Sequence, residues 1–318
     1  MIRLFRTFIA VLAASSLQSN AADAQERYEG PIIDMHMHAY PPDIFGSPVP
    51  NPISGLGSTE VTEEEIRQGT LEQMRRHKIV LAVLSGPPEV VARWKERAPG
   101  LFLTSPHFPR WSPLTDIDEM RGQYEAGVFE AMGEISSQYS GMEPADKRLE
   151  PYVALAEELG IPFGLHVGLS GRGVALTEHP DYRIGNGRPL LLEPLIIRHP
   201  DLRLYVMHAG WPFLDEMKAI LWSYPHVYVD ISPLSWFIPT KEFHTYLRAL
   251  VEAGFDKQIM FGSDQMIWPD AIGLAIEAVQ EADYLTHEQK ADIFYNNAAR
   301  FLELSGAEIT THKEITRQ

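Results

Sequence analysis

The sequence predicts an α/β chain folded as a (β/α)8 TIM barrel with an extra C-terminal helix. Three observations carry this expectation. Eight short apolar, β-rich runs alternate with stretches of helical period. Several runs are continuously apolar, as strands buried on both faces are. The first run ends in His-Met-His, whereas an open doubly wound sheet, the competing arrangement, usually carries a glycine-rich first turn. Such alternation implies parallel strands joined by crossover helices, and eight units over roughly 280 residues fit a closed barrel.

The chain opens with Arg3 and Arg6, an apolar stretch from Thr7 to Leu17, and Ala22-Asp23-Ala24. That order reads as a signal peptide over residues 1–24, cleaved before Gln25. The apolar stretch is too short to span a bilayer. The expectation is an exported protein, periplasmic or secreted, without stable membrane insertion after cleavage. Residues 25–318 then form a single barrel domain.

The first strand is expected over Ile32–Met37, followed by an insertion, Tyr40–Thr62, rich in Pro, Gly and Ser, and a helix over Glu63–His77. Strand and helix then pair over Ile79–Leu84 and Glu89–Ala98, Leu101–Ser105 and Thr115–Ala126, and Ala131–Ser136 and Ala145–Leu159. The fifth strand, Ile161–Val167, precedes a glycine-containing insertion, Gly168–Pro189, and a helix over Leu190–Arg198. The last units are Leu202–His208 with Phe213–Ser223, Val227–Ile231 with Lys241–Ala253, and Gln258–Ser263 with Asp270–Glu281. One more helix is expected over His287–Leu304, and the polar tail beyond it is expected to fray. Both insertions fall where barrel enzymes build substrate-facing loops.

Composition narrows the function. The chain has 318 residues and 45% hydrophobic content, enough for a large core. A net charge of −16 without a Lys/Arg run weighs against nucleic acid or an anionic membrane as partner. A small-molecule substrate is the expected partner, and a homo-oligomer is compatible with the sequence. With no cysteine, disulfides, thiolate metal sites and cysteine nucleophiles are excluded, so any metal must be held by His, Asp or Glu.

His36 and His38 are two residues apart on one strand, so both imidazoles face the same side. Neutral imidazole is the commonest protein ligand for zinc-like ions. A histidine pair can also fall on a half-exposed strand by chance. Here Glu134, His166, His208 and Asp264 stand at or near the C-terminal ends of four other runs, and in a barrel those ends converge on one face. A lone histidine on an apolar strand is ordinarily a hydrogen-bonded core residue. Several strands delivering His or Asp to one rim point to a metal-assisted site.

Asp34-Met35-His36-Met37-His38, His166, His208-Ala209-Gly210 and Phe261-Gly262-Ser263-Asp264 together resemble the amidohydrolase superfamily. Within it the chain is similar to the amidohydrolase-2 branch, which includes lactonases, nonoxidative decarboxylases and related hydrolases. Val227-Tyr228-Val229-Asp230 and Tyr295-Asn296-Asn297-Ala298-Ala299-Arg300 fit as well. The resemblance spans essentially the whole mature chain, and its motifs are specific for the superfamily but not for substrate. It implies metal ligands at His36, His38, His166 and Asp264. His208 then ligates a second metal or serves a mononuclear site as general acid/base. A hydrolytic metal needs about three or four protein ligands and an open position for water, whose pKa falls to roughly 7 on binding. Asp264 would accept the proton, and His208 would polarise a carbonyl or protonate a leaving group. Zinc is the expected ion, with manganese or iron compatible with the mixed N/O set. Binuclear members often bridge their metals through a carbamylated lysine or a glutamate near the fourth strand end. No lysine lies there, so Glu134 would take that part, the alternative being a carboxylate that orients a histidine N–H.

Other candidates carry weaker arguments. His107 stands just after the third run, where it would face substrate or support a ligand. Arg110, Arg172 and Arg183 fall in catalytic-side loops and could clamp a substrate carboxylate, or simply be solvated. Trp111, Trp211, Trp236 and Trp268 could line a pocket for a ring substrate or pack the loops. His77, His199 and His226 lie near helix ends, where the dipole accounts for them. Asp34 is expected to orient a histidine or pack at the barrel floor. The leading function is a metal-dependent hydrolase of a small lactone, ester or amide. The alternative is a metal-dependent nonoxidative decarboxylase of an aromatic or unsaturated carboxylic acid, which needs an arginine clamp. A non-enzymatic metal-binding protein is disfavoured, because a binder has no use for His208 and Asp264 together.

Overall fold

The computed structural model describes residues 26–45, 49–55, 62–108, 114–168 and 170–316. The expected signal peptide, Arg110 and Trp111 lie outside the described residues. Eight strands occur in the predicted order: β1 Ile32–His38, β2 Ile79–Ser85, β3 Phe102–Ser105, β4 Met132–Ile135, β5 Phe163–His166, β6 Leu204–Met207, β7 Tyr228–Asp230 and β8 Ile259–Met260. All pairings are parallel, in two sheets of order β1-β2-β3 and β4-β5-β6-β7-β8. Individual backbone bonds span the two seams between them. Phe108 N donates to Glu134 O and Ser136 N to Phe108 O on one side. On the other, Met35 N donates to Phe261 O and Asp264 N to His36 O. The architecture is the (β/α)8 barrel that the alternation predicts.

Crossover helices follow the strands: α1 Glu63–Arg76, α2 Pro88–Arg97, α3 Ile117–Glu125, α4 Glu150–Leu159, α5 Glu193–Arg198, α6 Leu214–Ser223, a short α7 Leu234–Phe237, α8 Thr240–Glu252 and α9 Asp270–Gln280. Helix α1 starts at a capping box in which Thr62 accepts from Glu65 N and Glu65 accepts from Thr62 N. The helices bury apolar faces on the strands. On α8 these are Phe243, Tyr246, Leu247, Leu250 and Val251, at helical spacing.

Strand β1 changes parity where the site begins. Ile33 and Met35 pack with Tyr205, Met207, Met260 and Tyr295. Met37 instead joins the larger cluster that includes Trp94, Phe102 and Leu84. The β1/β2 register is irregular between Asp34 and Met37. An irregularity of this kind redirects the side chains beyond it.

Two expectations at the C-terminus need correction. The helix expected over His287–Leu304 is interrupted: α10 (His287–Ala291) and α11 (Asn297–Phe301) flank a π turn at Asp292–Asn296. There Phe261 N donates to Ile293 O, and Asn297 Nδ2 donates to Asp256 O and Ile259 O, tying the turn to β8. The tail does not fray. It forms α12, Gly306–Ile315, behind a capping box in which Ser305 Oγ accepts from Glu308 N and Ser305 N donates to Glu308 Oε2 at 2.7 Å. His312 anchors it through a 3.0 Å bond between its Nδ1 and Tyr295 OH. Among the described residues, no helix is long and apolar enough to cross a membrane.

Candidate metal centre

His36 and His38 leave the end of β1 with both rings anchored through Nδ1. His36 Nδ1 lies 3.2 Å from Asp230 Oδ2 and 2.7 Å from Ser232 Oγ. His38 Nδ1 lies 2.7 Å from Ser85 Oγ, which itself reaches Met37 O. These partners keep a proton on each Nδ1, donated to Asp230 and to Ser85, a tautomer assigned from the network. Each Nε2 then carries a lone pair, and the two stand 3.1 Å apart. Asp264 Oδ1 comes within 3.0 Å of His38 Nε2 and 3.9 Å of His36 Nε2. It is buried and has no hydrogen-bond partner.

Asp264 is held from its backbone. Its φ is +49°, in the left-handed region that non-glycine residues rarely adopt. His208 (φ +62°) and Ala209 (φ +46°) share that region. Such backbone is costly and persists where its surroundings over-determine it. Trp236 Nε1 donates to Ser263 O at 2.6 Å, and Gln265 Nε2 donates to His38 O.

Glu134 lies between two groups of ligand atoms. Its Oε2 is 3.4 Å from His38 Nε2, 3.9 Å from His36 Nε2 and 3.5 Å from His107 Nε2. Its Oε1 accepts from His166 Nδ1 and is 3.8 Å from His208 Nε2. Gly133 permits this approach, because a Cβ there would stand 2.6 Å from Gly164 O on β5. His208 Nδ1 donates to Ser232 O, its backbone N–H reaches Asp230 Oδ1, and its Nε2 lies 2.8 Å from His166 Nδ1.

Burial works against every charge here, yet the carboxylates keep theirs. Burial raises Glu134, but His166 and His107 hold it well below the usual carboxylate range. Asp264 and Asp230 are likewise buried yet lowered, chiefly by His36. Burial lowers His36, but Asp264 and Asp230 outweigh it and hold the ring well above the ordinary imidazole value. For His38 burial wins, leaving it below that value. His208 is raised, the nearby Glu134 carboxylate overcoming burial. Three buried anionic carboxylates thus favour positive charge at the facing Nε2 atoms, whether a proton on His36 or a cation.

Among the described residues, four overlapping triads have ligand atoms all within 4.8 Å: His36–His38–Asp264, His36–His208–Asp230, His38–His107–Glu134 and Glu134–His166–His208. A divalent cation fits this donor set, since it satisfies the unpartnered Asp264 oxygen and separates the facing lone pairs. Among the expected ligands, His36, His38 and Asp264 are brought together directly. His166 contacts the group through Glu134 and His208. Asp34 sits beneath, its Oδ1 accepting from His36 N and Ser263 N at 3.0 Å each, and burial pushes its carboxyl up to about 7.

Of the weaker candidates, His107 joins the centre, bonded to Tyr40 OH (2.6 Å) and Ser136 Oγ (2.9 Å). Arg172 and Arg183 are exposed, and Arg183 bonds the carbonyls of Pro180 and Tyr182. Trp236 and Trp268 are buried packing residues, with Trp268 stacked on Phe45, and Trp211 bonds Glu242. His77 and His199 cap α1 and α5, and His199 pairs with Glu157 and Glu150. Sequence reasoning gave no role to Asp230, Tyr40, Ser85 or Ser232. Asp230 could have been found, because it ends an apolar strand as the other site residues do.

The solved structures similar to this chain share its fold. An uncharacterised TIM-barrel protein from Bordetella bronchiseptica matches with a TM-score of 0.64 at 18% identity, over 86% of this chain and 98% of that one. A probable 2-pyrone-4,6-dicarboxylic acid hydrolase from Acinetobacter baumannii matches at 0.61 and 13%, over 86% and 99%. A 5-carboxyvanillate decarboxylase from Sphingomonas paucimobilis matches at 0.59 and 14%, over 86% and 99%. Among curated proteins, Protein fluG of Emericella nidulans is 23% identical over 176 residues, 49% of this chain, which spans only 19% of that protein's length. The Amidohydrolase family model matches residues 33–304, nearly the entire barrel, and the chain therefore belongs to the amidohydrolase-2 branch of the amidohydrolase superfamily.

Proposed function

We propose that the chain is a metal-dependent hydrolase that uses an activated water on a small lactone, ester or amide. The observation that carries this reading is the convergence of His36 Nε2, His38 Nε2 and the unpartnered Asp264 Oδ1 on one point. In this reading those three residues, with Glu134 Oε2 beside both histidines, would hold the ion, and His166, expected as a ligand, instead orients Glu134 through Nδ1. The ion, zinc or manganese, supplies Lewis-acid activation of water. Asp264 accepts the proton that the attacking water gives up. His208, oriented by its Nδ1 bond to Ser232 O, presents Nε2 as the acid for the leaving group. Glu134 favours the charged form of that ring and so supports its role as acid. Decarboxylation would ask for a cationic clamp on the substrate carboxylate; of the candidate arginines among the described residues, Arg172 and Arg183 are exposed and Arg183 bonds backbone carbonyls.

The test is elemental analysis of the purified mature protein, then turnover of lactones, esters and carboxylic acids with the native metal present. About one divalent ion per chain is expected, with lactone or ester hydrolysis abolished by a chelator. Carbon dioxide release from an aromatic acid, with no hydrolysis, would replace this reading with decarboxylation. Export rests on the Arg3/Arg6, apolar and Ala22-Asp23-Ala24 order. N-terminal sequencing of the protein recovered outside the cytoplasm should begin at or near Gln25.

A further inference from the structure

A cavity of about 410 Å³ opens beside the centre, on the side of β2 and β3. Ile44, Pro87, Phe108, Met120 and Phe129 form apolar walls. Its inner wall is polar and belongs to the centre: Tyr40 and His107 line it. Tyr40 OH lies 2.6 Å from His107 Nδ1 and 3.4 Å from His38 Nε2, and the Tyr40 ring stacks on His38 at 4.2 Å. Glu119, exposed on α3, also lines it.

We propose that this cavity receives an apolar substituent next to the scissile bond, so that the preferred substrates are neutral lactones or esters bearing an aryl or medium-chain alkyl group. The proposal rests on the hydrolase reading and narrows its substrate class. Small-ligand sites are concave and mostly apolar, with a few polar groups that fix orientation. Here the polar lining is Tyr40 and His107 at the end shared with the centre, with Thr115, Glu119 and Gln123 on and just before α3. A substrate therefore orients with its reacting carbonyl beyond Tyr40 and its hydrocarbon against Met120 and Phe129. Glu119 disfavours a chain ending in a carboxylate and tolerates a neutral one.

The experiment uses the metal-loaded mature enzyme with γ-butyrolactone, γ-hexalactone, γ-octalactone and γ-decalactone. Each methylene buried should raise kcat/KM about fourfold until the cavity is full, the equivalent of about 0.8 kcal/mol. Met120→Trp fills the cavity and should flatten the series. Ile44→Trp, on the partly exposed loop after β1, does the same without loading α3. Calorimetry of hexan-1-ol binding to chelator-treated protein gives a readout independent of turnover, and both variants should weaken that binding about tenfold or more. If no lactone or ester is turned over but hexan-1-ol binds and both variants weaken it, the hydrolase reading falls and the apolar subsite stands. If lactones are hydrolysed without dependence on chain length and hexan-1-ol does not bind, the subsite proposal is overturned and hydrolysis stands. A rising series that both variants leave unchanged also overturns it, because the hydrocarbon then lies elsewhere.

Discussion

The Nε2 atoms of His36 and His38 face each other at 3.1 Å, although both rings are already fixed through Nδ1. Two lone pairs so placed repel unless a proton or a cation lies between them. His38→Ala removes one side of that pair without touching the barrel floor. Metal content should fall and activity with it. The loss in metal affinity should be at least the roughly 10–100-fold seen when mere supporting partners are removed. Full occupancy in the variant, measured by elemental analysis, would remove His38 from the ligand set.

Asp230 offers a finer test. It touches His36 Nδ1, Ser232 and the His208 backbone N–H, so it fixes the His36 ring and the main chain at His208. Asp230→Asn should lower metal affinity by about 10–100-fold and leave the fold intact by circular dichroism. Unchanged affinity with unchanged kcat would reduce Asp230 to a packing role.

Much of this was legible because the site obeys a positional rule. Strand ends deliver His36, His38, Glu134, His166, His208 and Asp264 to one rim, and hydrophobic alternation locates those ends to within a few residues. Which of them touch was not legible. His166 bonds Glu134 and His208, rather than His36 or His38, because of strand order and a change of register that composition does not report. Tyr40 and Ser85 are hidden for a related reason: their roles depend on pairing across β1, β2 and the end of β3. The C-terminal helix was misread because polarity outweighed a local signal. Ser305-x-x-Glu308 is a capping box in plain view.

Asp34 makes a pH prediction. Burial raises its carboxyl to about 7 from 3.8, and Oδ2 has no hydrogen-bond partner. Between those values the folded protein keeps a proton that the unfolded chain has released. Stability therefore falls as pH rises through that window and is lowest above about pH 7. Asp34→Asn keeps the Oδ1 acceptor for His36 N and Ser263 N but cannot ionise. In chelator-treated protein, the variant-minus-parent stability should shift in the variant's favour between about pH 4 and pH 8, by at most about 4 kcal/mol. Denaturant melts across that range measure it, and a flat difference would show that Asp34 does not titrate there.

Ser305 tests the corrected C-terminus. Its hydroxyl accepts from Glu308 N and its N–H donates to Glu308 Oε2. Ser305→Ala removes the cap and should cost about 1 kcal/mol, lowering Tm by roughly 2 °C in a chain of this size. Hydrogen exchange should localise the loss to α12 and leave the β-strands protected. Unchanged exchange in α12 would mean that the His312–Tyr295 contact alone holds the helix down.

Asp264 separates chemistry from binding. Its Oδ1 lies at the convergence point with no hydrogen-bond partner, where a water losing its proton would need an acceptor. Asn is among the side chains best tolerated in left-handed backbone, so Asp264→Asn should keep the +49° φ and fold normally. It retains one oxygen for ligation and loses the ability to take a proton. Turnover should drop by about 10²–10⁴-fold, the usual range for a missing acid/base. His208→Asn should fall comparably if that ring serves the leaving group. The parent's pH–rate profile should show an acidic limb shared among coupled groups, so its apparent pKa belongs to the ensemble and not to one residue. Steady-state kinetics with metal content checked on each variant decides the matter. Near-normal turnover in metal-loaded Asp264→Asn would assign proton transfer elsewhere, with Glu134 the next candidate because its Oε2 approaches both His36 and His38.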